Sequence, residues 1–118
     1  LRDELNNILH RHKSEGKNIA GYGSSPTVNT LIHHFGLHNY LDYIVLDTKW
    51  KQGLFTPNHH IPLLSPQTLY EKEPDYTVIL AWNYAGQIIE KHGEYLKRGR
   101  HFIIPLPEVK IVGGENYD

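Results

Sequence analysis

The chain of 118 residues has neither cysteine nor methionine. Without cysteine there is no disulfide framework and no thiolate metal site. The missing methionine reads differently. An intact natural chain starts with one, whereas this sequence opens on Leu1-Arg2-Asp3-Glu4, already inside a helical pattern. The expectation is a domain taken from a longer protein. No run of about 18 apolar residues is present to span a membrane, and the opening residues carry no signal-peptide pattern. Lysine plus arginine number 12 against 13 acids, for a net charge of -1, so no electrostatic case for nucleic acid exists. These absences fit a cytoplasmic protein that has neither nucleic acid nor membrane as a partner.

What remains is ordinary for one folded domain: 39% hydrophobic and 21% charged residues, too apolar for disorder. Leu1, Leu5, Ile8, Leu9 and His12 recur at helical spacing, and Gly16 ends that helix. Residues 18–22 read as a strand. Ser25 is placed to cap a second helix that Pro26 begins, with Val28, Leu31, Ile32 and Phe35 on its buried face and Gly36 at its end. Residues 41–47 form a second strand, and its apolar run Tyr43-Ile44-Val45-Leu46 is that of a strand covered on both faces. An irregular stretch follows from Thr48 to Ile61. A short strand over 61–64 and a short helix from Ser65-Pro66 to about Lys72 come next. Residues 76–81 are again a fully apolar strand. Ile88, Ile89, His92, Tyr95 and Leu96 mark one helix closed by Gly99, and residues 101–104 are a further strand, broken by Pro105 and Pro107. Residues 109–112 extend as an edge segment, and Gly113 onward is a tail.

Strands and helices therefore alternate. That order predicts an α/β domain with a mainly parallel sheet between two layers of helices. Ligand groups in such sheets gather at the carboxyl ends of the strands.

The first of those ends is Gly21-Tyr22-Gly23-Ser24-Ser25-Pro26. It has two glycines of the G-x-G-x-x-G dinucleotide fingerprint and proline in place of the third. Read functionally, the turn and the helix N-terminus offer backbone N–H groups to a phosphate. Read structurally, it is a tight turn with a good cap. Asp47 ends the second strand where a dinucleotide-binding acid would stand, and a loop-capping aspartate is the preferred reading. The stretch from Lys51 to Pro62 combines a cation, an amide, a hydroxyl and imidazoles beside aromatics, which suits a ligand with phosphate and ring parts. The clusters His33-His34 with His38, and His59-His60, lack a metal motif, because Gly36 interrupts the helix before His38. Glu71, Glu73 and Asp75 read as a solvated face. Trp82-Asn83 either stacks a flat ring and fixes its edge, or covers the core. No G-x-S-x-G elbow or Ser-His-Asp order is present.

Six segments occur in register along the chain: Gly21-Tyr22-Gly23, Asn29-Thr30-Leu31, Lys51-Gln52-Gly53, His60-Ile61-Pro62, Ala81-Trp82-Asn83 and Pro105-Leu106-Pro107-Glu108-Val109. In this order they resemble the C-terminal domain of S-adenosylmethionine-dependent sugar C-methyltransferases, over about residues 19–112. The resemblance implies a single Rossmann-like three-layer α/β/α domain over 1–112, with 113–118 as tail. It also implies zinc-binding and S-adenosylmethionine-binding domains upstream in the parent polypeptide. The family acts on nucleotide-linked keto-deoxysugars. Its methyl donor and catalytic base belong to the central domain, so this chain holds no catalytic residue, no metal and no cofactor of its own. Its implied substrate-side residues are Gly21, Tyr22, Gly23, Ser24, Lys51, His60, Trp82 and Asn83. The chain departs from the family at Thr27, where lysine is common, and at Asn58-His59, where Gly-Thr is common. The stretch between Asp47 and Lys51 is also shorter than usual. A non-catalytic nucleotide-binding or interaction module is the alternative, and an NAD-dependent reductase fragment a third reading.

Overall fold

The computed structural model describes residues 2–23, 26–56, 59–106 and 108–113. Ser24, the expected cap Ser25, Asn58, Pro107 and residues 114–118 of the expected tail lie outside the described residues, as do the side chains of Pro26 and Thr27.

Helix α1 (Arg2–Ser14) has Asp3 and Glu4 in its first turn and Arg11 and Lys13 in its last, each sign favourable to the helix dipole. Leu5 and Leu9 are fully buried beneath it. Strand β1 (Ile19–Tyr22) leads to α2 (Pro26–Phe35), and Gly36 closes that helix in the left-handed region at φ 66. Then come β2 (Tyr43–Val45), β3 (Leu63–Leu64), α3 (Thr68–Glu71), β4 (Tyr76–Ile79), α4 (Ala85–Lys91), α5 (Gly93–Lys97), β5 (His101–Ile104) and β6 (Lys110–Gly113).

The six strands lie in the order β3-β2-β1-β4-β5-β6. All neighbours run parallel except β6, which pairs antiparallel with β5. This is the strand order of a doubly wound Rossmann-type sheet, and the order reverses between β1 and β4. Side-chain alternation divides the core in two. Ile19, Ile44, Val78 and Ile103 pack with Leu5 and Leu9 of α1 and with Val28, Leu31, Ile32 and Phe35 of α2. Ala20, Tyr22, Val45, Ile79 and Phe102 pack on the opposite face with Leu69 of α3, Ile88 of α4 and Tyr95 and Leu96 of α5. Each fully buried aliphatic side chain contributes roughly 1.5–3 kcal/mol, so the two layers share the hydrophobic stabilisation.

Four details differ from the sequence expectation. The helix expected across Ile88 and Leu96 breaks at His92, where φ -115 and ψ 38 leave the helical region, and α5 restarts at Gly93. Gly113 belongs to β6, opposite His101, rather than to the tail. The stretch after β2 is folded back on the sheet edge: Gly53 N–H donates to the Leu63 carbonyl, Leu63 N–H to that of Leu54, and Phe55 bridges Pro62. Asp75 is not simply solvated. It accepts the Asn18 N–H at 3.0 Å and pairs with Arg100 at 2.7 Å, while Asp42 accepts the Ile19 N–H at 3.2 Å and pairs with Lys13. Two carboxylates thus pin the entry of β1.

The rest of β1 is fixed by lack of space. A Cβ on Gly21 would stand 2.7 Å from a Leu80 methyl and 3.2 Å from Ile44. Gly23 adopts φ 116, and a Cβ there would stand 2.6 Å from the Ala81 Cβ and 2.9 Å from its backbone nitrogen. The glycine pair is therefore explained by packing of the sheet itself, with the backbone of β4's continuation as the tight neighbour at Gly23. Gly23→Ala should destabilise the fold by roughly 2–4 kcal/mol, because conformational strain and a backbone clash add. Gly53→Ala, at φ 94 but with nothing within 4 Å of its Cβ, should cost only about 1 kcal/mol. Urea denaturation followed by circular dichroism compares them; equal losses would mean that the Ala81 contact is not tight.

Candidate functional site

At the carboxyl ends of β1, β2 and β4, on both sides of the point where strand order reverses, the surface opens into a cavity of about 1130 Å³. Its floor is apolar, formed by Val28, Leu31 and Phe35 of α2 with Leu46, Leu80, Ile88 and Leu106. Tyr22, Asp47, Thr48, Asn83, Gln87 and Lys91 supply polar groups, and Trp82 and Tyr84 supply rings. A smaller hollow of about 190 Å³ adjoins it, sharing Gly23 and Val28 and bounded by Trp50, Lys51, Leu54 and Phe55.

One end of the main cavity is a connected polar group. The Tyr22 hydroxyl donates to Asp47 Oδ2 at 2.9 Å, and Lys91 Nζ donates to Asp47 Oδ1 at 2.8 Å. Behind them, Tyr22 Oη lies 2.9 Å from His92 Nε2, and His92 Nδ1 lies 2.7 Å from the Tyr70 hydroxyl. Partial burial works to raise the Asp47 pKa. The hydrogen bonds from Lys91 and Tyr22 and the nearby positive charge outweigh it and hold the carboxyl below its ordinary value. Burial, followed by the charge of Lys91, lowers the pKa of His92 against the opposing pull of Asp47. Burial and the hydrogen bond to Asp47 raise that of the Tyr22 phenol.

Of the residues expected from sequence, Tyr22, Gly23, Trp82 and Asn83 come together on the main cavity. Trp82 lines the cavity and also packs against the core on the α1 and α2 side. Lys51 stands on the smaller hollow, its ammonium 5.3 Å from the centre of the Trp50 ring. Gly21 lies within β1 and lines neither hollow, and His60 is exposed, at φ 52, outside both. Asp47 does not cap its loop; it holds Tyr22 and Lys91.

Lys91, Gln87 and the role of His92 escaped the sequence reading. A signal was available: Asn83, Gln87 and Lys91 recur every four residues, which puts them on one helical stripe. The histidines also sort themselves differently from their order in the chain. The His38 ring stacks on His59 at 3.8 Å and 4°, with His33 at 6.1 Å from His59. Parallel stacked rings do not converge their nitrogens on one point. Among the described residues no group of three or more His, Asp or Glu is arranged to hold a metal, and no helix is long and apolar enough to cross a membrane.

The family described as the C-methyltransferase C-terminal domain matches residues 1–107. The chain is similar to the C-methyltransferase NovU of Streptomyces niveus, with 34% identity over 117 residues. That match covers 98% of this chain but only 28% of the relative, so the chain spans little more than a quarter of the curated protein's length.

The lowered pKa values of His92 and of His12 have one consequence for stability; the His12 ring is buried, stacked 4.0 Å from Tyr76, and its Nδ1 lies 3.6 Å from the Glu15 carboxylate, whose pull burial outweighs. Below the ordinary imidazole pKa of 6.5 the unfolded chain takes up protons that the folded chain resists, so stability present at neutral pH is lost as pH falls. The urea midpoint should drop between about pH 7.5 and about pH 5.5, and less steeply in His12→Phe. A midpoint independent of pH in this range would contradict the burial of both rings.

Proposed function

The chain belongs to the C-methyltransferase C-terminal domain family, and from that premise we propose that it is the substrate lobe of an S-adenosylmethionine-dependent enzyme that methylates carbon on a nucleotide-linked keto-deoxysugar. The observation that carries the reading is the cavity at the strand switch point. It combines an apolar floor, the rings of Trp82 and Tyr84, and an ionised, hydrogen-bonded acid. Its volume of about 1130 Å³ suits a ligand with a flat base and a hydroxylated, phosphorylated remainder. In this reading Trp82 and Asn83 take the ring and its edge, Asp47 accepts hydroxyls, and Lys51 on the adjoining hollow attracts the phosphates.

The lobe binds and orients rather than abstracts a proton. Asp47 is held ionised between Lys91 and Tyr22, which makes it a weak base. His92 has a hydroxyl against each ring nitrogen, and the Tyr22 phenol is pushed further from ionisation. The residues present do not fit the methyl donor either. Asp47 is the sole carboxylate among the described residues lining the cavity, and it is already paired with Lys91, which leaves no anion for a sulfonium. The donor and the base are assigned to a central domain of the same polypeptide, and the parent enzyme to the cytoplasm. Gly21 and His60 are given no ligand contact; Ser24 keeps the substrate role implied by the resemblance.

Titration with dTDP-glucose, UDP-glucose and GDP-mannose, followed by NMR, tests this reading. Amide shifts at Tyr22, Trp82, Asn83 and Lys91 are expected with at least one of them. Trp82→Ala should weaken binding about tenfold, the scale of one lost base-stacking contact. S-adenosylmethionine at the same concentration should shift nothing in the cavity. Silence of the cavity towards all three nucleotide-sugars, or tight binding of the methyl donor, would defeat the proposal.

A further inference from the structure

The polar group behind the cavity has a direction. Asp47 is ionised and can only accept, so the single hydroxyl proton of Tyr22 goes to Asp47 Oδ2. The contact of 2.9 Å between Tyr22 Oη and His92 Nε2 then requires the proton to sit on Nε2. A neutral imidazole with Nε2–H has a bare Nδ1, and that nitrogen accepts from the Tyr70 hydroxyl at 2.7 Å. Every donor in the sequence Tyr70, His92, Tyr22 points the same way, towards the carboxylate. The reverse arrangement would set the lone pairs of Tyr22 against those of an ionised Asp47.

We propose that His92 is a positioning residue for the cavity: its Nε2–H, which the Tyr22–Asp47 bond requires and the Tyr70 hydroxyl accommodates at Nδ1, holds the Tyr22 hydroxyl on Asp47, so that Asp47 faces the ligand as a fixed acceptor of hydroxyl groups. Tyr22 thereby offers a ligand its ring but not its proton. Asp47 Oδ1 and Oδ2 each keep a lone pair beyond the bonds to Lys91 and Tyr22, and the side chain is half exposed to the cavity. The group selected at this end bears hydroxyls, as a sugar or ribose does, while phosphate is repelled. The helix break at His92 belongs to the same device, because the ring that leaves the α4 path lies between hydroxyls from β1 and α3. The groups facing His92 are Tyr22 from β1, Asp47 just after β2, Tyr70 from α3 and its neighbour Lys91; Arg98, just after α5, lies over the Tyr70 ring.

The ligand part of this inference rests on the substrate-lobe reading; the relay does not. Nitrogen-15 NMR of the 118-residue chain near neutral pH should show His92 as the Nε2–H tautomer; Tyr70→Phe should keep it, and Tyr22→Phe should let the other tautomer appear. The side-chain carboxyl carbon of Asp47 should titrate at higher pH in His92→Phe than in the wild type. His92→Gln, which can still donate to Tyr22 and accept from Tyr70, should restore the wild-type value. If dTDP-glucose or UDP-glucose binds, His92→Phe should weaken it about tenfold and His92→Gln much less, the scale of one hydrogen bond to a charged group. An Nδ1–H tautomer, or an Asp47 titration indifferent to His92→Phe in a folded variant, would overturn the relay. Failure of every nucleotide-sugar to bind, with the relay signals intact, would overturn the hydroxyl assignment together with the substrate-lobe reading and leave the relay standing.

Discussion

The close approach of β1 to its neighbours is the constraint on which the rest depends. Ile19-Ala20-Gly21-Tyr22 is buried on both faces and paired on both edges, and its two ends are held differently. At the entry, Asp42 and Asp75 accept the first N–H groups. At the exit, Gly23 bends away with its missing side chain against Ala81, and the Tyr22 carbonyl accepts from both Leu80 and Ala81. With no room beside the strand, the chain must open above it, where the order of strands reverses. The cavity lies at that exit, lined by Tyr22 and Gly23 from β1 and by residues that follow β2 and β4.

Tyr22 is the one large side chain of β1, and its position follows from the alternation of the strand. Odd residues face α1 and α2; Tyr22 faces the other helical layer and reaches its edge. A phenol there is 2% exposed and must satisfy its hydroxyl. Asp47 and His92 do so, and each brings a further partner, Lys91 and Tyr70. Arg98, which donates to the Tyr70 carbonyl and lies 5.1 Å from its ring centre, continues the path to Glu73 at the surface. A single polar group forced into the core by strand geometry thus recruits Tyr70 of α3, Lys91 of α4 and, from the connections around them, Asp47, His92 and Arg98.

Strand and helix order was legible because apolar periodicity and the glycine stops agree locally with the sheet; Tyr43-Ile44-Val45 and Val28-Leu31-Ile32-Phe35 are clear cases. The family resemblance reached the same fold independently. What stayed hidden was mostly tertiary. Nothing local marks the glycine pair as serving Leu80 and Ala81 rather than a phosphate, because both uses need the same missing Cβ. His92 sits at correct helical spacing, and only its two distant hydroxyl partners reveal why the helix breaks there. The loop after β2 read as free polar chemistry, yet Gln52 donates to the Leu46 carbonyl and Thr56 Oγ1 accepts the Ile61 N–H. Polar residues used to fold a loop look the same in sequence as polar residues kept for a ligand.

The distribution of exposed apolar surface adds a last step. Among the described residues, the large hydrophobic side chains left exposed are Trp50, Leu54, Phe55 and Tyr84, and each borders one of the two hollows. They are not scattered singly but gather at the rims of the two hollows. Tyr84 flanks the main cavity beyond Trp82 and Asn83, while Trp50, Leu54 and Phe55 rise from the folded-back loop on the side of Lys51. A ligand seated between them would be gripped on the polar side by groups already hydrogen-bonded and on the other by rings that lose exposed area on contact. Binding of that kind draws little on rearrangement at Asp47 and more on burial at the rim. On the proposed reading, the relay behind Tyr22 keeps the hydroxylated part of the ligand in one orientation against Asp47.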